Sequence, residues 1–159
     1  MNIEDKNGKV IYRNVPQPKI SLSPSNAFKM VMMLREGVRS GTSRGLQNYN
    51  IFQKSNQIGG KTGTTQNSAD GWYFGITDDI VCGVWVGGED KNIHFSDNYT
   101  GRVYGQGAKM SMPIFAKFLE NCYKNTESGI APRPFKQPEG LTEQDLYNNI
   151  LCTDTPTQY

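Results

Sequence analysis

The chain has 159 residues and a formal net charge of +2, with 36% hydrophobic and 20% charged residues. This length suits one domain with a core of its own. The charge is too small and too dispersed to predict a nucleic-acid-binding face, and no apolar run approaches the roughly 18 residues of a membrane-spanning helix.

The composition also argues against several kinds of site. The three cysteines, Cys82, Cys122 and Cys152, are far apart, so no CxxC pair is present for zinc or redox chemistry. His94 is the lone histidine, which excludes a multi-histidine metal site. A Ser-His-Asp triad would have to use this residue from within a polar loop. We therefore expect no metal and no cofactor.

The first predicted element is a short β-hairpin around Asn7-Gly8, because Asn-Gly is a strong hairpin turn signal. A two-stranded hairpin is not stable alone. Its place at the very start of the chain, which is charged at once and has no signal-peptide pattern, leads us to expect a piece of a longer protein.

A helix is predicted from Pro24 to about Ser40. Ser23 can cap this helix, and proline suits its first position. The spacing of apolar residues predicts one buried stripe, made of Ala27, Met30, Val31, Leu34 and Val38. We expect Met32 and Met33, like Met30, to fill gaps in the core.

Three strands are predicted next, at residues 58–64, 70–76 and 80–86. Their connections are short, and a parallel crossover needs a dozen or more residues, so the strands should form an antiparallel meander. Trp72 and Trp85 are expected to pack on the sheet. The predicted fold class is therefore α+β, with an antiparallel sheet packed against helices.

A second helix is predicted at about residues 108–123. Pro113 favours a kink or a start near Ser111, which could cap the helix. Its buried side is predicted to hold Ile114, Phe115, Phe118, Leu119 and Cys122. A capping pattern predicts a short third helix at residues 142–149, and the tail from Thr153 is expected to be mobile.

Residues 59–65 are the most informative about function. They comprise three glycines, one lysine and three threonines, which is strand rather than helix material. Lys61 supplies a positive charge, Thr62 and Thr64 supply hydroxyls, and Gly63 lets a ligand approach the main chain. This combination suits a ligand that bears a carboxylate.

Residues 55–62 come close to the phosphate-binding pattern GxxxxGK[ST]. The pattern fails at its first glycine, where Ser55 stands. A phosphate loop must also continue into a helix, whereas residues 63–67 are poor helix formers. Nucleotide binding is therefore not favoured.

From Pro18 to about Lys124 the chain resembles the C-terminal part of the transpeptidase domain of penicillin-binding proteins, especially the bifunctional class A enzymes. The similarity lies in four segments in the same order: the K-T-G motif in residues 59–65, then residues 70–77, 83–87 and 112–115. The resemblance implies a partial transpeptidase fold, shared with serine β-lactamases, over residues 1–135. Residues 136–159 remain as a polar C-terminal extension.

In that family a serine attacks the D-Ala-D-Ala carbonyl of a peptidoglycan stem peptide, and β-lactams acylate the same serine. The resemblance implies that Lys61 takes part in the polar network around the serines. It also implies that Thr62 and Thr64 hold the substrate carboxylate and that the Thr64 amide helps to form the oxyanion hole. Gly63 and Thr65 complete the substrate-binding strand. The implied location is the periplasmic face of the bacterial inner membrane.

The chain departs from the family pattern at the nucleophile. Neither S-x-x-K nor S-x-N precedes Lys61, and Ser96-Asp97-Asn98 spells the second motif on the wrong side of it, which we interpret as a coincidence. We therefore expect a C-terminal fragment that carries one wall of the site and is inactive alone. Its expected partner is the missing N-terminal part of the domain, or a second copy bound through exposed sheet or core surface.

Two other functions are compatible with the motif. One is a non-enzymatic module in which Lys61 and the sheet bind an anionic peptide end or a partner protein. The other is a relative of the serine β-lactamases or carboxypeptidases, which share K-T-G.

Overall fold

The computed structural model describes residues 2–15, 17, 19–52, 57–90, 92–95 and 104–141. Its strands and helices, in chain order, are β1 (Asn2–Glu4), β2 (Val10–Arg13), α1 (Pro24–Arg39), β3 (Gly59–Thr64), β4 (Asp70–Ile76), β5 (Val81–Gly87) and α2 (Ser111–Lys124). The predicted third helix, the tail and the Ser96-Asp97-Asn98 motif lie outside the described residues.

The strands β3, β4 and β5 form an antiparallel sheet in that order, which confirms the predicted meander. Thr62 pairs with Tyr73, and Trp72 pairs with Trp85. Within the described residues, β3 and β5 are the edge strands of this sheet.

The hairpin of β1 and β2 is confirmed as well. Gly8 has a φ of +82° in its turn, a conformation that glycine adopts without strain. The Asp5 carboxylate accepts hydrogen bonds from the backbone N–H groups of Asn7 and Lys9. The side chains of both strands are exposed.

The core lies between one face of the sheet and α2. Phe115 sits against Gly75, where an added Cβ would lie 2.3 Å from the ring. Its ring centroid is 5.2 Å from that of Tyr73. The buried cluster comprises Val38, Leu46, Ile51, Ile58, Tyr73, Met112, Phe115, Ala116 and Leu119.

Helix α1 occupies the predicted residues, but its buried face was predicted wrongly in part. The Ser23 side chain accepts a hydrogen bond from the Asn26 N–H, as a cap should. Phe28 and Val38 are the buried side chains, whereas Met30 and Met33 are 48% and 45% exposed. The helix flanks the edge of β3, so only the side that faces this strand is covered.

Helix α2 begins at Ser111, but Ser111 does not cap it. The Ser111 hydroxyl is buried and donates to the Gly71 carbonyl at 2.5 Å, which anchors the first turn on β4. Pro113 lies in that turn, where its missing N–H costs nothing. Ile114 and Phe118 are exposed, contrary to prediction, because the sheet covers only the side of α2 that carries Met112, Phe115, Ala116 and Leu119.

A segment that we call the C-terminal strap, residues 130–136, crosses the end of the sheet. The Asp79 carboxylate accepts from the Ala131 N–H at 3.0 Å and pairs with Arg133 at 3.0 Å. The Gln57 N–H donates to the Arg133 carbonyl at 3.0 Å. The strap therefore joins the β4–β5 turn to Gln57, two residues before β3.

None of the helices in the described residues combines the length and the apolar character that a membrane crossing requires. The same residues contain no group of three or more His, Cys, Asp or Glu side chains placed to hold a metal ion.

Candidate functional site

The candidate site is the outer edge of β3. The Gly60 carbonyl points at Gly37 of α1, since a Cβ on Gly37 would lie 3.1 Å from it. The Thr65 N–H, by contrast, donates to Asp70 on the β4 side. Backbone groups alternate in direction along an antiparallel strand, so the N–H and C=O of Thr62 and Thr64 point away from β4. Among the described residues no strand pairs with this side of β3, so these groups form an open row beside the K-T-G residues, apart from the Thr62 carbonyl, which accepts from Lys61.

Lys61 brings its charge to this open edge. Its side chain leaves the sheet on the face that carries Phe74, its cross-strand partner. The ammonium then bends back and donates to the Thr62 carbonyl at 2.6 Å. A positive charge therefore stands where a ligand lying along β3 would pass.

Thr62 and Thr64 present their hydroxyls on the opposite face, towards α2. The Thr62 hydroxyl donates to the Thr42 hydroxyl at 3.0 Å. The Thr64 hydroxyl accepts from the Gly107 N–H at 3.2 Å, which leaves its proton free to donate to an anion. These two hydroxyls line a cleft of about 430 Å³.

Gly63 and Thr65 support the strand. A Cβ on Gly63 would lie 3.2 Å from the Trp72 Cβ, so glycine makes room for this neighbour. The Thr65 hydroxyl accepts from the Asp70 N–H at 2.9 Å, which closes the turn into β4. Thr65 therefore stabilises the turn between β3 and β4, whereas its neighbours Lys61 to Thr64 border the open edge.

Three polar residues that line this cleft were not predicted from the sequence: Thr42, Gln106 and Lys109. Gln106 precedes Gly107, whose missing side chain lets the segment lie directly on the sheet. A Cβ on Gly107 would be 2.1 Å from the Trp72 carbonyl oxygen. Clusters of glycine flank Thr42 and Gln106 in the sequence, and this was the one local signal of a close approach.

Two buried hydroxyls, those of Tyr73 and Ser43, lie beneath the site without a well-formed hydrogen bond to any described residue. Tyr73 is fully buried against Gly60, where an added Cβ would lie 2.0 Å from the phenolic oxygen. The hydroxyls of Tyr73 and Ser43 lack a partner of normal hydrogen-bond geometry among the described residues. Burial raises the pKa of Tyr73 to about 12, although the neighbouring Ser43 hydroxyl acts in the opposite direction.

No protein-family model matches the chain. Individual proteins match most of it: penicillin-binding protein 1A of Rickettsia bellii is 30% identical in an alignment of 168 positions that covers 89% of this chain and 19% of that protein. Penicillin-binding protein 1B of Vibrio cholerae is 30% identical in an alignment of 170 positions that covers 99% of this chain and 21% of that protein. This chain is homologous to a segment of penicillin-binding proteins 1A and 1B. It spans about a fifth of the length of these relatives.

The structural comparison supports the same conclusion at the level of fold. The crystal structure of penicillin-binding protein 1A from Haemophilus influenzae matches with a TM-score of 0.57 and 21% identity. The match covers 86% of this chain and 24% of that one. The predicted α+β fold class and the resemblance to penicillin-binding proteins are confirmed.

Proposed function

We propose that this chain supplies the substrate-binding strand of a serine D,D-transpeptidase, an enzyme that cross-links peptidoglycan stem peptides. The convergence of groups at the open edge of β3 carries this proposal. The Lys61 ammonium, the Thr64 N–H and the hydroxyls of Thr62 and Thr64 all border that edge.

Each of these groups has a role in acyl transfer. The hydroxyls of Thr62 and Thr64 hold the carboxylate of the stem peptide, or that of a β-lactam, beside a cleft that Lys109 also lines. The outward-pointing Thr64 N–H donates to the carbonyl oxygen as it gains negative charge. The Lys61 ammonium stabilises the polar network around the serine and promotes proton transfer.

The nucleophile comes from elsewhere in this proposal. The family motif S-x-x-K does not occur before Lys61, and the serine belongs to an upstream part of the transpeptidase domain. That part packs on the sheet face opposite α2, where Trp72, Phe74 and Trp85 are each at least 40% exposed. The complete enzyme acts at the periplasmic face of the bacterial inner membrane.

The test is covalent labelling with a penicillin, followed by intact-mass spectrometry. The 159-residue chain alone should gain no penicilloyl mass, whereas a protein that joins it to its upstream transpeptidase segment should gain one adduct. A covalent adduct on the 159-residue chain alone would disprove the proposal that the nucleophilic serine lies in the upstream segment.

Variants of the joined protein test the roles of individual residues. Lys61→Ala should slow acylation by about 10² to 10⁴-fold, the usual contribution of a proton-transfer group. Thr64→Val keeps the shape of the side chain and removes the hydroxyl, so it should weaken capture of the carboxylate. Lys136→Ala is the matched control, because this lysine lies on the strap and pairs with Asp78, and it should leave labelling unchanged.

A further inference from the structure

The geometry of α2 places its last turns over the start of β5. Ser111, in the first turn, bonds to Gly71, and Phe115 lies against Gly75. The helix therefore runs along β4 in the same direction as the strand. After the helix, the Ala131 N–H reaches Asp79 in the β4–β5 turn. The end of α2 thus lies between the Phe115–Gly75 contact and the Ala131–Asp79 hydrogen bond. This places it above the region where β4 ends and β5 begins.

Two cysteines lie on the two elements that form this interface, one on β5 and one on α2. Cys82 is the second residue of β5 and pairs with Gly75, and it packs against the buried cluster that contains Phe115 and Leu119. Cys122 follows Leu119 by three residues on α2, so it lies on the same side of the helix. Both cysteines are half-buried free thiols.

The electrostatic environment of Cys82 agrees with this placement. Burial raises the pKa of the Cys82 thiol, and the Cys122 thiol raises it further. The Cys122 thiol therefore lies within electrostatic range of the Cys82 thiol. Cys122 also lies two residues before the end of α2, so the adjustment that disulfide geometry requires falls on the last helical turn.

We propose that Cys82 and Cys122 are an oxidisable thiol pair that forms a disulfide between β5 and the end of α2. The oxidant is an external disulfide. The Cys122 or Cys82 thiolate attacks it, a mixed disulfide forms and one thiol leaves. The second protein thiolate then displaces the other thiol. Overall, the protein loses two protons and two electrons, and the external disulfide is reduced to two thiols. This inference is independent of the proposed acyl transfer.

The experiment is oxidation of the full chain with oxidised glutathione at about pH 8.5, where more of the thiol is ionised. Free thiols should fall from three to one, and proteolytic mass mapping should find the Cys82 peptide joined to the Cys122 peptide. The melting temperature should rise on the order of 10 °C and return after reduction, because the bond closes a long loop. Cys152→Ser is the matched control and should keep both effects.

Cys82→Ser and Cys122→Ser should each abolish the cross-linked peptide and the shift in melting temperature. Cys82→Ala and Cys122→Ala should abolish both effects too. Since alanine carries no hydroxyl, the loss can then be assigned to the missing disulfide and not to the buried serine hydroxyl. Three free thiols after oxidation would overturn the proposal. Glutathione adducts without a Cys82–Cys122 bond, or bonds to Cys152 only, would overturn it as well.

Discussion

Gly75 is a residue where core packing leaves almost no room for a side chain. An added Cβ would lie 2.3 to 2.6 Å from three atoms of the Phe115 ring, and this ring is fully buried. The ring cannot withdraw without disturbing the rest of the core. We predict that Gly75→Ala destabilises the chain by about 1–3 kcal/mol, the usual cost of overpacking, measured by urea unfolding.

Gly83 on the neighbouring strand provides the matched control. A Cβ there would also meet a phenylalanine, at 2.8 Å from Phe74, but this ring is half-exposed and can turn into solvent. Gly83→Ala should therefore cost clearly less than Gly75→Ala. Equal losses of stability would show that Phe115 is not the cause.

Tyr73 carries a hydroxyl that folding removes from water without a well-formed hydrogen bond. Removing such a group also removes its desolvation cost. We predict that Tyr73→Phe changes the free energy of unfolding at pH 7 by less than about 1 kcal/mol, in the stabilising direction. Ser43→Ala is the companion variant and should behave alike. A loss above this value in either variant would indicate a hydrogen bond between the two hydroxyls.

The raised pKa of Tyr73 adds a test at alkaline pH. The pKa is about 12 in the folded chain, against an ordinary 10.0. Between these values the unfolded chain loses the phenolic proton and the folded chain keeps it, so stability falls as pH rises, by up to about 1.4 kcal/mol per pH unit. At about pH 11, Tyr73→Phe should therefore have lost less stability than the wild type.

At the scale of elements, Glu120 connects α2 to the loop that follows α1. Its side chain is 8% exposed, pairs with Lys117 at 2.8 Å and accepts from the Asn50 N–H at 2.9 Å. The ion pair with Lys117 and then the Asn50 N–H lower the pKa of the Glu120 carboxyl below its ordinary 4.5. This contribution to stability is complete above pH 4.5 and disappears as pH falls through the folded-state pKa.

We predict that Glu120→Gln removes part of the loss of stability on acidification, as measured by urea unfolding at a series of pH values. The variant should be less stable than the wild type at pH 7, and the difference should shrink in acid. Glu36→Gln is the control, because its pair with Arg39 is exposed and such pairs contribute little. A pH-independent difference for Glu120→Gln would count against the lowered pKa.

The sequence predicted strands better than helix faces, and the reason is physical. The strands β3 to β5 follow from local turns and the two-residue period, so their order and pairing are set within 30 residues of chain. The face that a helix buries depends instead on where its partner lies. That is why Met30 was wrongly placed in the core and Phe28 was missed.

The same distinction applies to the site. Lys61, Thr62 and Thr64 were predicted because one short motif contains them. Gln106 and Lys109 reach the cleft only because the segment before α2 folds back over β3 and β4. A single sequence does not contain the information that brings distant segments together, so this wall of the cleft could not be predicted.

At the scale of the whole molecule, the described residues cover one face of the sheet and leave the other open. The rings of Trp72 and Phe74 stack with centroids 5.7 Å apart, and the Trp85 indole N–H donates to Asp70 at 3.0 Å. These aromatic side chains are ordered by their mutual contacts, yet 40% to 49% of each is exposed. An apolar face of this kind is typical of a surface that packs against another chain or domain.

We propose that two copies of the chain cover this face when the upstream segment is absent, because burying aromatic surface is favourable. We predict a concentration-dependent dimer in sedimentation velocity. Phe74→Glu should shift it to the monomer, because a charge would be buried without a partner. The control is Ile20→Glu, which adds the same charge at a side chain that is 93% exposed and should leave the dimer intact. A mass that stays monomeric at every concentration would contradict self-association through this face.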